Sequence, residues 1–236
     1  MLRALGFSMG LFFVVVAGGC ATHKDPAPFP SPARLASCRA AVRLVVVGDS
    51  LAHGTGASMP AHSFVGLVAG HVRQRRRLTL VDYGIPGANA SDVTRREVPR
   101  IRPEACDVVV VIAGANDVQQ FHTPGRFAED YLRLIAAVRK RDPHAALVLL
   151  GLPQISQSRI IPEILKPPIG YLSDRGNASV RDLAARYHAG FVDLFALSLA
   201  HARGSRMLIG PDGIHPNDDG YALMAAAAYP AVDAVL

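Results

Sequence analysis

Three separated stretches of the 236-residue chain carry side chains able to do nucleophilic chemistry together. Gly48-Asp49-Ser50-Leu51 sets a hydroxyl just after an apolar run, beside a glycine that lets the backbone turn. Asp212-Gly213-Ile214-His215-Pro216 sets a carboxylate and an imidazole three residues apart in a turn-rich segment. At that spacing Asp212 can bond one ring nitrogen of His215, fixing its tautomer and leaving the other nitrogen to take the Ser50 proton. Gly114-Ala115-Asn116-Asp117 follows the clearest apolar run. Each stretch also has a plainer reading alone. A serine after Gly-Asp often caps a helix, and Asn-Asp is a common turn pair. Asp-x-x-His also suits a satisfied loop or a metal site.

Residues 43–47, 78–81, 108–113, 146–150 and 191–194 read as short, largely β-branched strands. Helical spacing separates them. Phe127, Tyr131, Leu134, Ile135 and Val138 form one stripe between a Thr123-Pro124 start and an Asp142-Pro143 stop. Val180, Leu183, Ala184 and Tyr187 form another, and residues 217–228 read as a last helix. Strands alternating with helices predict an α/β domain with a parallel sheet covered on both faces. Ligands gather at the carboxyl ends of such strands, which is where Gly48–Leu51 and Gly114–Asp117 fall; Asp212–Pro216 stands near the C-terminus.

Taken together, these segments resemble the conserved blocks of the SGNH (GDSL-type) hydrolases, across residues 43–228. Gly48-Asp49-Ser50-Leu51 is similar to the first block, with its nucleophilic serine. Gly84-Ile85-Pro86-Gly87 is similar to the second and Gly114-Ala115-Asn116-Asp117 to the third. Asp212-Gly213-Ile214-His215-Pro216 is similar to the fifth. The resemblance implies a triad of Ser50, His215 and Asp212, and an oxyanion hole built from the backbone N–H groups of Ser50 and Gly87 and the Asn116 amide. It implies a three-layer flavodoxin-like fold with a five-stranded sheet in the order 2-1-3-4-5. It implies ester hydrolysis without a metal or organic cofactor, on a small-molecule, lipid or glycan ester. One departure is Asp82, two residues before the second block, where the family often has Asn. Members that resemble this chain in overall pattern include arylesterases, thioesterases and lysophospholipases. Removal of O-acetyl groups from envelope polysaccharide is an alternative, and a non-catalytic binding lipoprotein is a reading from another class. Residues 154–172 form a long, isoleucine-bearing stretch that either walls an acyl pocket or packs on its own domain.

Residues 1–19 have the order of a secretory signal: basic Arg3, apolar Leu11 to Val16, then Ala17-Gly18-Gly19. Cys20 follows directly, in a pattern similar to a bacterial lipobox, which implies lipidation there and a membrane anchor. Residues 20–37 carry prolines at 26, 28, 30 and 32 and read as an extended tether, leaving 38–236 as the hydrolase domain. In an exported chain Cys38 and Cys106 can pair. Each precedes an apolar run, so neighbouring parallel strands would put both cysteines at one sheet edge; two small buried hydrophobes is the alternative. The implied strand order makes those runs neighbours. The formal charge is +6, or +5 once Arg3 is removed with the leader. Much of the excess lies in Arg73, Arg75, Arg76 and Arg77. Such a run could touch anionic lipid or nucleic acid; it is read as a solvated helix end because no nucleic-acid motif accompanies it.

Overall fold

Valine-rich runs form the centre of the molecule. The computed structural model describes Cys38 and residues 40–202 and 205–236. Its strands are β1 (Ala41–Gly48), β2 (Arg77–Asp82), β3 (Asp107–Ile112), β4 (Ala146–Leu150) and β5 (Gly190–Val192). All pair in parallel, in the order β2-β1-β3-β4-β5. Every residue of β3 is buried, as are the last seven of β1. Strands shielded on both faces need continuous apolar sequence, whereas β2, at a margin, has no buried residue.

The covering helices are α1 (Ser50–His53), α2 (Phe64–Arg73), α3 (Ala90–Arg96), α4 (Ala115–Gln119) and α5 (Pro124–Arg141). They continue with α6 (Lys166–Arg186), α7 (Leu194–Ala200), α8 (Ser205–Leu208) and α9 (Asp218–Val235). Alternation along the strands divides the core in two. Val45, Val47, Val109, Val111, Leu147 and Leu149 face α3, α5 and α6. Leu44, Val46, Val108, Val110, Val148 and Leu150 face α2 and α9. The stripe Phe127, Tyr131, Leu134, Ile135 and Val138 is buried along α5, which Thr123 caps by accepting the Arg126 N–H.

Three boundaries differ from the sequence reading. The fifth strand ends at Val192, because the Asp193 side chain accepts the Ala196 N–H and starts α7 there. The 180–187 stripe is the second half of α6, which begins at Lys166 and takes the last residues of the expected 154–172 loop. Pro167 and Pro168 sit in its first turn, where no backbone N–H is needed. The last helix runs on to Val235 through Pro230, because Val232 and Val235 pack into the same core as Met224 and Ala228.

Cys38 and Cys106 are joined by a disulfide, with Cα atoms 5.8 Å apart, across the amino ends of β1 and β3. It closes a sequence separation of 68 residues, which removes unfolded-state entropy worth about 4 kcal/mol. The arginine run lies where α2 ends and β2 begins; Arg73, Arg75 and Arg77 are exposed, and Arg76 donates to the Cys38 carbonyl at 3.0 Å. The leader, Cys20 and the proline-bearing tether lie outside the described residues. Among the described residues no helix is long and apolar enough to cross a membrane.

Candidate active site

Ser50 stands at the first position of α1, directly after β1. Asp49 caps this helix, its carboxylate accepting the Leu51 N–H at 2.9 Å. Gly48 makes the turn possible: its φ is +152°, and a Cβ there would lie 1.9 Å from the Ile112 carbonyl oxygen. The Glu97 carboxylate accepts the Gly48 N–H at 2.6 Å. This buried acid braces the serine turn from α3's far end, a role the sequence does not signal, since a lone Glu after a short helix carries no motif.

The Asp212–His215 turn arrives from the other end of the chain. Gly213, at φ +80°, lets it double back, and Gly210 N–H donates to the His215 carbonyl at 2.8 Å. One Asp212 oxygen accepts the N–H groups of Ile214 and His215, both at 3.0 Å. The other lies 2.7 Å from His215 Nδ1, and His215 Nε2 lies 2.9 Å from Ser50 Oγ. With Nδ1 donating to Asp212, Nε2 is left as the acceptor for the serine hydroxyl. Burial alone would raise the Asp212 carboxyl, but the Ile214 N–H, the His215 ring and the His215 N–H outweigh it and hold it below its ordinary value. It therefore stays anionic beside the ring.

Two supports of this turn were not legible in sequence. Ser158 Oγ and the Arg159 N–H both donate to the Gly213 carbonyl, at 2.9 and 2.8 Å, and the Arg159 guanidinium donates to the Gly210 carbonyl. The 154–165 stretch thus braces the turn as well as bordering the cleft. On the other side Tyr221 Oη donates to the Thr55 carbonyl at 2.6 Å, and Asp218 binds Ser58 and His62. These tie the segment after α1 to α9.

Ser50, Gly87, Asn116 and His215 line one cleft of about 320 Å³ at the carboxyl ends of the strands. Gly87 has φ +82°, and the space where a Cβ would stand is open. Asn116 Nδ2 donates to the Ala88 carbonyl at 3.0 Å, which orients the amide and leaves its second N–H for another acceptor. Asp117 is fully buried; it accepts the Ala90 N–H at 2.9 Å and lies 3.1 Å from His122 Nδ1, tying α4 to α3. Asp82, the departure from the family pattern, accepts the Gly84 N–H at 2.8 Å, so a carboxylate oxygen supports the loop that leads to Gly87.

A model of the GDSL-like lipase/acylhydrolase family matches residues 46–223, about three quarters of the chain. The chain belongs to this family. GDSL-like proteins of known structure share its fold. A member of the lipolytic protein G-D-S-L family from Veillonella parvula superposes with a TM-score of 0.65 at 16% identity, over 80% of this chain and 97% of that one. TesA gives 0.63 at 20% identity, over 82% and 99%. The esterase EstA from Pseudoalteromonas gives 0.61 at 18%, over 81% and 96%. No curated protein matches the sequence. Membership makes this GDSL-like chain an esterase-type hydrolase, and its strand order is that of the family fold.

Two buried acids under the serine turn give this GDSL-like domain a distinctive pH response. Burial pushes the Glu97 carboxyl up to about 8; the Gly48 N–H opposes this, while the charges of Asp49 and Asp82 add to it. Burial likewise pushes Asp49 up to about 7, against the Leu51 N–H. An acid whose folded pKa exceeds its unfolded one binds its proton more tightly when folded. The stability that Glu97 contributes therefore falls as pH rises from about 4.5 towards about 8. Glu97→Gln stays neutral and still accepts the Gly48 N–H, so urea unfolding at a series of pH values should show a shallower decline than the parent. Identical slopes would mean that Glu97 does not titrate in this range.

Proposed function

We propose that this chain is a serine esterase that cleaves carboxylic esters of short to medium acyl chains, with Ser50 as nucleophile, His215 as base and Asp212 as its orienting acid. The observation that carries the reading is the 2.9 Å contact between Ser50 Oγ and His215 Nε2 at the wall of an apolar cleft. His215 takes the hydroxyl proton as Ser50 attacks the ester carbon. The charge that develops on the carbonyl oxygen is met by the N–H groups of Ser50 and Gly87 and by the Asn116 amide. His215 next protonates the leaving alcohol. Water then attacks the acyl-serine, giving its proton to His215, and Ser50 recovers that proton as the acid leaves.

The cleft lining indicates the substrate class. Leu194, Leu197, Leu208, Ile209, Leu223 and Met224 form an apolar wall from α7 to α9, beside Ser50. Among the described residues that line it there is no Phe, Tyr or Trp to stack on a sugar ring. Each methylene buried against that wall contributes about 0.8 kcal/mol, or roughly fourfold in kcat/KM if realised in the transition state. With a series of p-nitrophenyl esters, kcat/KM should climb from acetyl through medium chains and then fall once the wall is filled. Leu197→Trp should move the optimum to shorter chains. A profile that is highest at acetyl and unmoved by Leu197→Trp would instead favour deacetylation; one protein of this fold is described as an acetyl xylan esterase.

Export fits the same picture. The signal-like order of residues 1–19 and the lipobox-like Cys20 support a chain carried to the cell envelope and anchored through Cys20. The Cys38–Cys106 disulfide suits an oxidising compartment.

A further inference from the structure

We propose that the amino-end face of the sheet is an electrostatic docking surface for an anionic lipid bilayer, which turns the cleft away from the membrane. In a right-handed parallel sheet the connecting helices run opposite to the strands, so helix carboxyl ends and strand amino ends share one face. This chain ends those helices in cations. Arg73 closes α2, Arg75 and Arg77 follow it into β2, and Lys140 and Arg141 close α5 before β4. Arg102 joins them just before β3; all six are exposed. Segments far apart in sequence thus place positive charge on one end of the molecule. Of the acids at this end, Glu104 and Asp107 are both paired with Arg43, and Asp233 with His71 and Arg75, so Arg75 adds little net charge and the other five cations carry the patch.

The opposite end is mixed in sign: Lys166 pairs with Glu163, His62 lies beside Asp218, and Arg126 and Arg159 are also exposed there. Glu163, Asp212 and Asp219 are exposed near the cleft, and Asp218 is half-exposed. A domain charged this way orients in the field of an anionic surface with its basic end down. β1 rises from Ala41 to Gly48 through about 23 Å, so Ser50 stands roughly that far above the basic face.

Two observations choose a bilayer over other polyanions. The described domain begins on this face, at Cys38, held there by its bond to Cys106 and by Arg76. The 37 residues before it, including the apolar stretch Leu11 to Val16, therefore leave from the basic end. Anything in that segment that enters lipid makes the basic end, and not the cleft end, the domain's point of attachment, and charge then sets the orientation. The disulfide also suits a compartment without nucleic acid. Docking through this face requires neither esterase activity nor acylation of Cys20.

The test uses the full chain as Cys20→Ser, so that acyl groups do not dominate, sedimented with vesicles of phosphatidylcholine alone or with phosphatidylglycerol added. Binding should be stronger to the anionic vesicles at low salt and fall to the neutral-vesicle level near 1 M salt, where charges are screened within about 3 Å. Arg73, Arg77 and Lys140 are exposed surface positions, so R73Q/R77Q/K140Q should stay folded, with unchanged thermal unfolding. It should lose about 100-fold in partitioning to anionic vesicles, near fivefold per charge. A dye on Arg102→Cys should transfer energy to a headgroup acceptor more efficiently than a dye on Met59→Cys beside the cleft. Equal binding to both vesicle types, an unaltered triple variant, or stronger transfer from position 59 would overturn the proposal. So would salt-sensitive binding to an oligonucleotide with none to anionic vesicles.

Discussion

Ser50→Ala should lower kcat/KM for a medium-chain aryl ester by about 10⁴-fold or more, at least roughly 5.5 kcal/mol of transition-state stabilisation. The variant should unfold at the parent's temperature, because among the described residues the hydroxyl's hydrogen bond is to His215 Nε2, and both residues line the open cleft. Asp212 and His215 would still face each other at 2.7 Å, yet water would lack the covalent route. What activity remains would come from polarisation of the carbonyl by the oxyanion donors. A fluorophosphonate should label the parent and not the variant. Retention of more than a tenth of the parent's activity by the purified variant would defeat the nucleophile assignment, and failure of the folded parent to label would favour a binding protein.

Asn116→Ala should cost about 10²–10³-fold in kcat, close to 3–4 kcal/mol, with a much smaller change in KM. The reason is where charge appears. A ground-state carbonyl asks little of a donor, whereas the tetrahedral oxyanion asks a great deal, so the loss falls on the chemical step. Asn116 is well placed for this because the Ala88 carbonyl holds its amide by one N–H, fixing the other before substrate arrives. Truncation also leaves that carbonyl without its partner, so a unfolding measurement accompanies the kinetics. A matching rise in KM with kcat intact would mean that Asn116 only helps to bind the ester.

These two variants probe a site assembled from four loops at one end of the sheet. β1 delivers Ser50, the segment after β2 delivers Gly87, the turn after β3 delivers Asn116, and the chain beyond α8 returns with Asp212 and His215. Parallel topology puts all the strand exits at one end, and the order β2-β1-β3 makes the first three loops neighbours. The fourth is brought in by α9, whose Tyr221 and Ala225 pack in the same core as Val46 and Phe64. The buried acids Asp49 and Glu97 show what holding the serine turn requires: backbone N–H groups on either side of Ser50 need acceptors, and those acceptors lie out of water.

The sequence by itself determined the parallel sheet, since buried β-branched runs alternating with helical stripes have few other ways to hide their apolar faces. It also singled out Ser50, Gly87, Asn116, Asp212 and His215, which stand in the segments that resemble the family blocks, and the structure brings Ser50, Gly87, Asn116 and His215 to one cleft, with Asp212 against His215. Only the tertiary structure decided what supports them. Glu97 under Gly48, Ser158 and Arg159 against the Asp212–His215 turn, and Tyr221 against Thr55 are contacts across 49 to 166 residues. Ordinary polar residues make them, and local sequence carries no trace of a partner that distant. The α6 boundary was hidden for a related reason: a proline pair reads locally as a break, and only packing of Ile169 into the core makes it a helix start. The gathering of cations at one end of the molecule likewise follows from helix direction in the folded sheet, which a linear charge count does not register.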